Sequence, residues 1–114
     1  MGSPQTFVPD VRPFRAVVPA SSSLDVILHS FADFLRGTFE IALFNTAESK
    51  LRSLTAKSWK IGGSVDHSIY NDYGDNIDIV LNFQKVGADV VLSLSNSEAF
   101  AVTLRMESIF VRGN

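Results

Sequence analysis

Only two side chains in this 114-residue sequence could act as a histidine base, His29 and His67. His67 sits within Asp66-His67-Ser68, which holds the residue types of a hydrolytic triad. Neighbours along an extended strand point to opposite faces, however, so this spacing does not bring the three side chains together. Neither histidine lies near a Gly-x-Ser-x-Gly elbow. With no cysteine, thiolate nucleophiles, zinc–thiolate sites and disulfides are excluded, and two histidines alone do not make a metal site. A chain of this length also leaves little room for a glycosidase cleft. The expectation is a non-enzymatic protein with no catalytic residue, no resident metal and no cofactor.

Three other clusters carry chemistry. Asp66, Asn71, Asp72, Asp75, Asn76 and Asp78 bring together oxygen ligands of the type calcium takes. Their spacing fits no EF-hand loop, and Asn, Asp and Gly are turn formers, so Asn71 to Asn76 reads as a solvated turn. Lys50, Arg52, Lys57 and Lys60 form a basic run without an acid among them. In a strand, Arg52 and Lys60 share one face and Lys57 takes the other. The run therefore reads as a charged strand, which the acidic residues 66–78 could neutralise across a hairpin. With a net charge of −2 as well, nucleic acid is not expected as a partner. Trp59, Tyr70 and Tyr73 lie around one hairpin and are the candidate ligand contacts, either as a sugar platform or as interface aromatics.

The elements that must position these residues are mostly strands. Ile77, Ile79, Leu81 and Phe83 alternate with polar residues, as do Val90, Leu92 and Leu94. Phe100, Val102, Leu104, Met106 and Phe110 fall on one parity of a third run. These three runs, joined by short loops, predict an antiparallel meander with one buried face. Thr38 to Asn45 alternates too, and residues 51–61 and 64–72 flank Gly62-Gly63, which suits a type I′ hairpin turn. Residues 22–36 are ambiguous. Leu24, Ile27, Leu28, Phe31, Phe34 and Leu35 make a helical stripe, with Ser22 and Gly37 standing as caps. On that reading His29 faces solvent. The strand alternative places Leu24, Val26 and Leu28 on one face, with a loop from Ala32 to Gly37.

All four prolines, Pro4, Pro9, Pro13 and Pro19, fall in the first nineteen residues. Proline lacks the N–H that a ladder needs, so residues 1–12 read as an extended arm and 13–114 as one β-rich domain. Phe7 and Val8 are the arm's apolar anchors, Phe14 adds another just beyond it, and the three are the candidate assembly contacts. Apolar residues make up 46% of the chain, enough for one core. No apolar run reaches the ~20 residues that span a bilayer, so no membrane role is expected. The start of the chain has neither the charge nor the apolar stretch of a signal peptide, which predicts a protein not secreted through this segment.

From Ser23 onward, the order of signals resembles a small β-sandwich domain recurrent in virion proteins of tailed bacteriophages. Ser30-Phe31 ends a first run, and Arg36 precedes Phe39-Glu40-Ile41-Ala42-Leu43-Phe44. Gly62-Gly63 makes a turn, Tyr73-Gly74 ends the next strand, and Ile77 to Val111 supplies the closing strands. The resemblance covers roughly ninety residues, and residues 24–35 and Trp59 depart from it. It implies an all-β fold, an antiparallel β-sandwich or jelly-roll-like domain in which Leu24 to Phe31 is a strand partnering Phe39 to Phe44, and the extended N-terminal arm read from the prolines lies outside it. The alternative is an α+β protein with one helix at 22–36. The function implied is a fibre, tail or capsid-decoration component made in the host cytoplasm and carried in the virion. Its partners would be further copies of itself and other virion proteins. A carbohydrate- or receptor-binding module, with a surface glycan as partner, is the alternative.

Overall fold

The computed structural model describes the backbone of residues 10–112 and the side chains of 13–112. Eight strands occupy this span: β1 (Asp10–Val18), β2 (Ser22–Ser30), β3 (Phe34–Asn45), β4 (Lys50–Ile61), β5 (Ser64–Gly74), β6 (Ile79–Val86), β7 (Asp89–Asn96) and β8 (Val102–Arg112). They form a five-stranded antiparallel sheet, in the order β1-β8-β3-β4-β5, and a three-stranded one, β2-β7-β6. The two sheets pack face to face as a β-sandwich. The first strand pairs with the last and the second with the seventh, the nested pairing of a jelly roll. Nesting stops there, because β3 and β4 form a hairpin within the larger sheet.

The period-two pattern explains the core. Phe39, Ile41 and Leu43 of β3, Leu81 and Phe83 of β6, Leu92 and Leu94 of β7, and Leu104, Met106 and Phe110 of β8 are all buried. The sheets are joined by aromatic contacts, with ring centroids 4.9 Å apart for Phe39 and Phe83 and 5.1 Å for His29 and Phe110. Each fully buried side chain of this size contributes about 1.5–3 kcal/mol of transfer free energy, so the inner faces dominate stability.

Residues 22–36 contain no helix. Leu24, Val26 and Leu28 face inward from β2, and the chain then turns at Phe31–Asp33 into β3. An isolated helix of this length is marginal in water, whereas a strand here gives the smaller sheet its third member and pairs the free edge of β7. A bulge between Ile27 and His29 leaves Ile27 exposed while burying both Leu28 and His29. The solvent-facing His29 of the helical reading is therefore corrected. Its ring lies among Phe34 and Phe110, with Nδ1 2.9 Å from the Ser30 carbonyl oxygen.

Further expectations are corrected. β2 pairs with β7 and not with Phe39–Phe44. The closing meander breaks after β7, because β8 crosses to the other sheet and lies between β1 and β3. Phe100, expected on the buried parity, sits in that crossing and is exposed. Gly37 is neither cap nor loop but lies within β3, where a Cβ would press on the Phe39 ring. At the Gly62-Gly63 turn, φ is positive at Gly62 alone, which fits a type II′ hairpin rather than type I′. Strand β1 begins at Asp10, so the last residues assigned to the arm pair with β8. Phe7 and Val8 lie outside the described residues.

Candidate functional site

The outer face of the five-stranded sheet collects most of the side chains that the core does not use. Register defines it as a grid. One row across the strands is Pro13, Glu107, Glu40, Thr55 and Tyr70, and the next is Arg15, Arg105, Ala42, Ser53 and Tyr73. Beyond the first row, Ile109, Thr38, Lys57 and Ser68 follow, then Val111, Arg36, Trp59 and Asp66. The small side chains of Ala42 and Ser53 form the floor of a shallow depression of about 570 Å³, walled by Arg15, Arg105, Glu40 and Glu107.

The three candidate aromatics share this face, and a bulge is the reason. Tyr70 lies opposite Thr55 and Tyr73 opposite Ser53, so three steps on β5 match two on β4. Asn71, at φ 52°, takes up the extra residue. Without it, Tyr70 and Tyr73 would point to opposite faces. Lys57 Nζ lies 5.7 Å from the Tyr70 ring centre, and Tyr73 is 68% exposed. Trp59 stands four residues along β4 from Thr55, about 13 Å from the level of Tyr70. The aromatics therefore form a line rather than a cage.

The basic run separates as its parity requires. Lys57 faces outward, while Arg52 turns toward the junction of the sheets. There Arg52 donates to both carboxylate oxygens of Asp72, at 2.8 and 2.7 Å, and to the carbonyls of Ile77 and Ile79, at 3.0 and 3.2 Å. The Arg52 hydrogen bonds hold the Asp72 carboxyl below the usual carboxylate range, and the same bonds raise Arg52. Asp75 is engaged as well: its carboxylate accepts from the Leu51 N–H at 2.9 Å, and its own N–H donates to the Leu51 carbonyl at 2.7 Å. The acidic stretch thus serves as a structural latch, and the turn expected over Asn71 to Asn76 is corrected, since β5 continues to Gly74 and only a short link then leads to β6. Among the described residues no group of three or more His, Asp or Glu side chains could hold a metal ion.

Asp66, His67 and Ser68 do not converge. His67 lies on the inner side with its ring 5.4 Å from that of Phe83, while register puts Asp66 and Ser68 on the outer face. Phe14, the one arm anchor within the described side chains, is 36% exposed on edge strand β1. It lines a groove of about 210 Å³ between the open edges of the two sheets, beside Val26, Leu28 and Phe110.

Sequence reasoning missed a buried polar node at one end of the sandwich. Asn96 Nδ2 donates to the carbonyls of Val18, Pro19 and Phe100, each at 3.1 Å. Glu98 accepts from Asn45 Nδ2 at 3.3 Å and from the Asp78 N–H at 2.7 Å. Asn96-Ser97-Glu98 reads locally as an ordinary polar turn, and nothing in its neighbours announces these distant partners. Asn45 is the one signal, a polar residue on the otherwise apolar inward parity of β3.

No helix of the described residues is long and apolar enough to cross a membrane. No protein-family model matches the chain, and no curated protein matches it.

Proposed function

We propose that this domain works by association rather than catalysis, as a non-enzymatic structural component repeated in a virion, in a fibre, a tail or a capsid decoration. The observation that carries the association reading is the apolar content of the larger sheet's outer face. Val17, Leu51, Trp59, Tyr73 and Ile109 are all exposed there, and three of them stand on the interior strands β4 and β8. Leu51 and Trp59 stand near opposite ends of β4 and Ile109 lies one row from Trp59, so a partner laid across this face would cover them together. The virion setting comes from the sequence resemblance, with which an eight-stranded sandwich agrees. Phe14 on the β1 edge is an assembly contact in this reading, with Phe7 and Val8 as the further candidates that the sequence offers. Size-exclusion chromatography with light scattering tests this function. A discrete oligomer or a co-purifying assembly is expected, and a monomer at every concentration up to the millimolar range contradicts it.

A second reading, a carbohydrate- or receptor-binding module, is favoured by one feature: the β5 bulge brings Tyr70 and Tyr73 to the same face as Trp59. A glycan array tests it, with Tyr73→Ala as the control expected to abolish any signal.

A further inference from the structure

The charges around the outer-face depression are arranged in a way that an isolated domain has no reason to keep. Arg15 on β1 lies directly opposite Arg105 on β8, and Glu107 on β8 lies directly opposite Glu40 on β3. Like charges facing each other across a ladder are destabilising. Exchanging Arg105 and Glu107 along β8 would make both cross-strand pairs attractive, so the penalty belongs to the arrangement and not to the composition. The four side chains find little relief within the domain. Among the described residues none of them takes part in an ion pair. Glu40 accepts a hydrogen bond from Thr55 Oγ1 at 3.1 Å, and Arg105 lies over the Phe44 ring at 5.8 Å. All four are exposed.

The two like pairs are, however, complementary to each other. They sit in adjacent rows of one flat face, about 7 Å apart along the strands and offset by one strand, about 4.8 Å. A two-fold axis lying in the plane of a face-to-face contact, across the strands and midway between the two rows, carries Arg105 of one copy onto Glu107 of the other and brings Arg15 and Glu40 within one strand spacing of opposite charges. Such an isologous contact places i on j and j on i, and this self-complementary pattern is the one it requires. Val17 and Ile109 flank the charged centre with exposed apolar surface, and the Ala42–Ser53 floor leaves space for side chains from the opposing face.

We propose that the outer face of the five-stranded sheet is the contact between two copies of this chain, Arg105 of each seated on Glu107 of the other, with Arg15 and Glu40 beside them. The inference rests on the association reading above and specifies its partner and its axis. Complementary charges of this kind also make the contact weaken as salt rises.

Sedimentation equilibrium on the full chain tests it with two doubly reversed variants, Arg15→Glu/Arg105→Glu and Glu40→Arg/Glu107→Arg. Each alone is expected to lose association by at least about tenfold, since like charges then face each other across the axis. An equimolar mixture is expected to regain a dimer containing one copy of each. Circular dichroism melts confirm folding, and if a reversed variant fails to fold, Arg105→Gln and Glu107→Gln are used, each expected to weaken wild-type association. Variants that associate as tightly as the wild type, or a mixture that stays monomeric, overturn this face while leaving the association reading standing. A wild-type chain that is monomeric throughout overturns both.

Discussion

The two sheets have equivalent inner faces and very different outer ones. Across the smaller sheet, Ser23, Asp25, Asn82, Ser93 and Ser95 present short polar groups, and Gln84 Nε2 donates to Ser93 Oγ at 2.9 Å. Its exposed apolar side chains, Ile27, Val80 and Val86, stand on the edge strands β2 and β6. Across the larger sheet, Leu51, Trp59 and Ile109 stand on interior strands, around four charges arranged in like pairs. Inner faces built by one alternating rule specify the fold. The outer faces are free of that demand, and the larger one carries the interior apolar side chains and paired like charges on which the proposed association rests.

The comparison breaks most visibly if an inner-face residue proves dispensable. Leu104, fully buried on β8, is expected to cost about 2–5 kcal/mol on truncation to Ala, measured by urea denaturation. Gly74→Ala should cost on the order of 2 kcal/mol or more, because φ is 108° there and a Cβ would collide with the Leu51 carbonyl oxygen. Arg52→Ala follows at about 2 kcal/mol, since it strips two carbonyls and a carboxylate of a charged donor at the junction of the sheets.

The Arg52–Asp72 pair also sets a pH dependence. With the folded-state value of Asp72 below its unfolded one, the contribution is fully present above about pH 4 and is lost as pH falls through the folded value. Asp72→Asn should flatten that acid limb by no more than about 1 kcal/mol, because the pair is partly solvated. The smallest effect belongs to the polar outer face: Ser93→Ala should change stability by within about 0.5 kcal/mol and leave association untouched.

From β3 onward, strand positions and inward parity were legible because alternation is a local property. The residues read as buried on β3, β6 and β7, and all but Phe100 on the last run, are buried. Pairing was not legible, because period two says which side chains face the core and nothing about which strand lies alongside. That is why β8 was expected beside β7 and β2 beside β3. The bulges were hidden for a related reason. His29 and Tyr73 each change face through one inserted residue, and a helical stripe or a plain alternation conceals such a shift. Trp59, Tyr70 and Tyr73 were identifiable as residue types, but the Arg15–Arg105 and Glu40–Glu107 pairs join residues up to ninety positions apart and exist only once β8 lies between β1 and β3.

Hydroxyl-radical footprinting across a concentration series asks most directly whether one outer face is covered and the other is not. Labelling of Trp59, Ile109 and Val17 should fall as concentration rises, while Ile27 and Val80 stay constant. Labelling that is independent of concentration on both faces, or protection confined to Ile27 and Val80, would contradict the account.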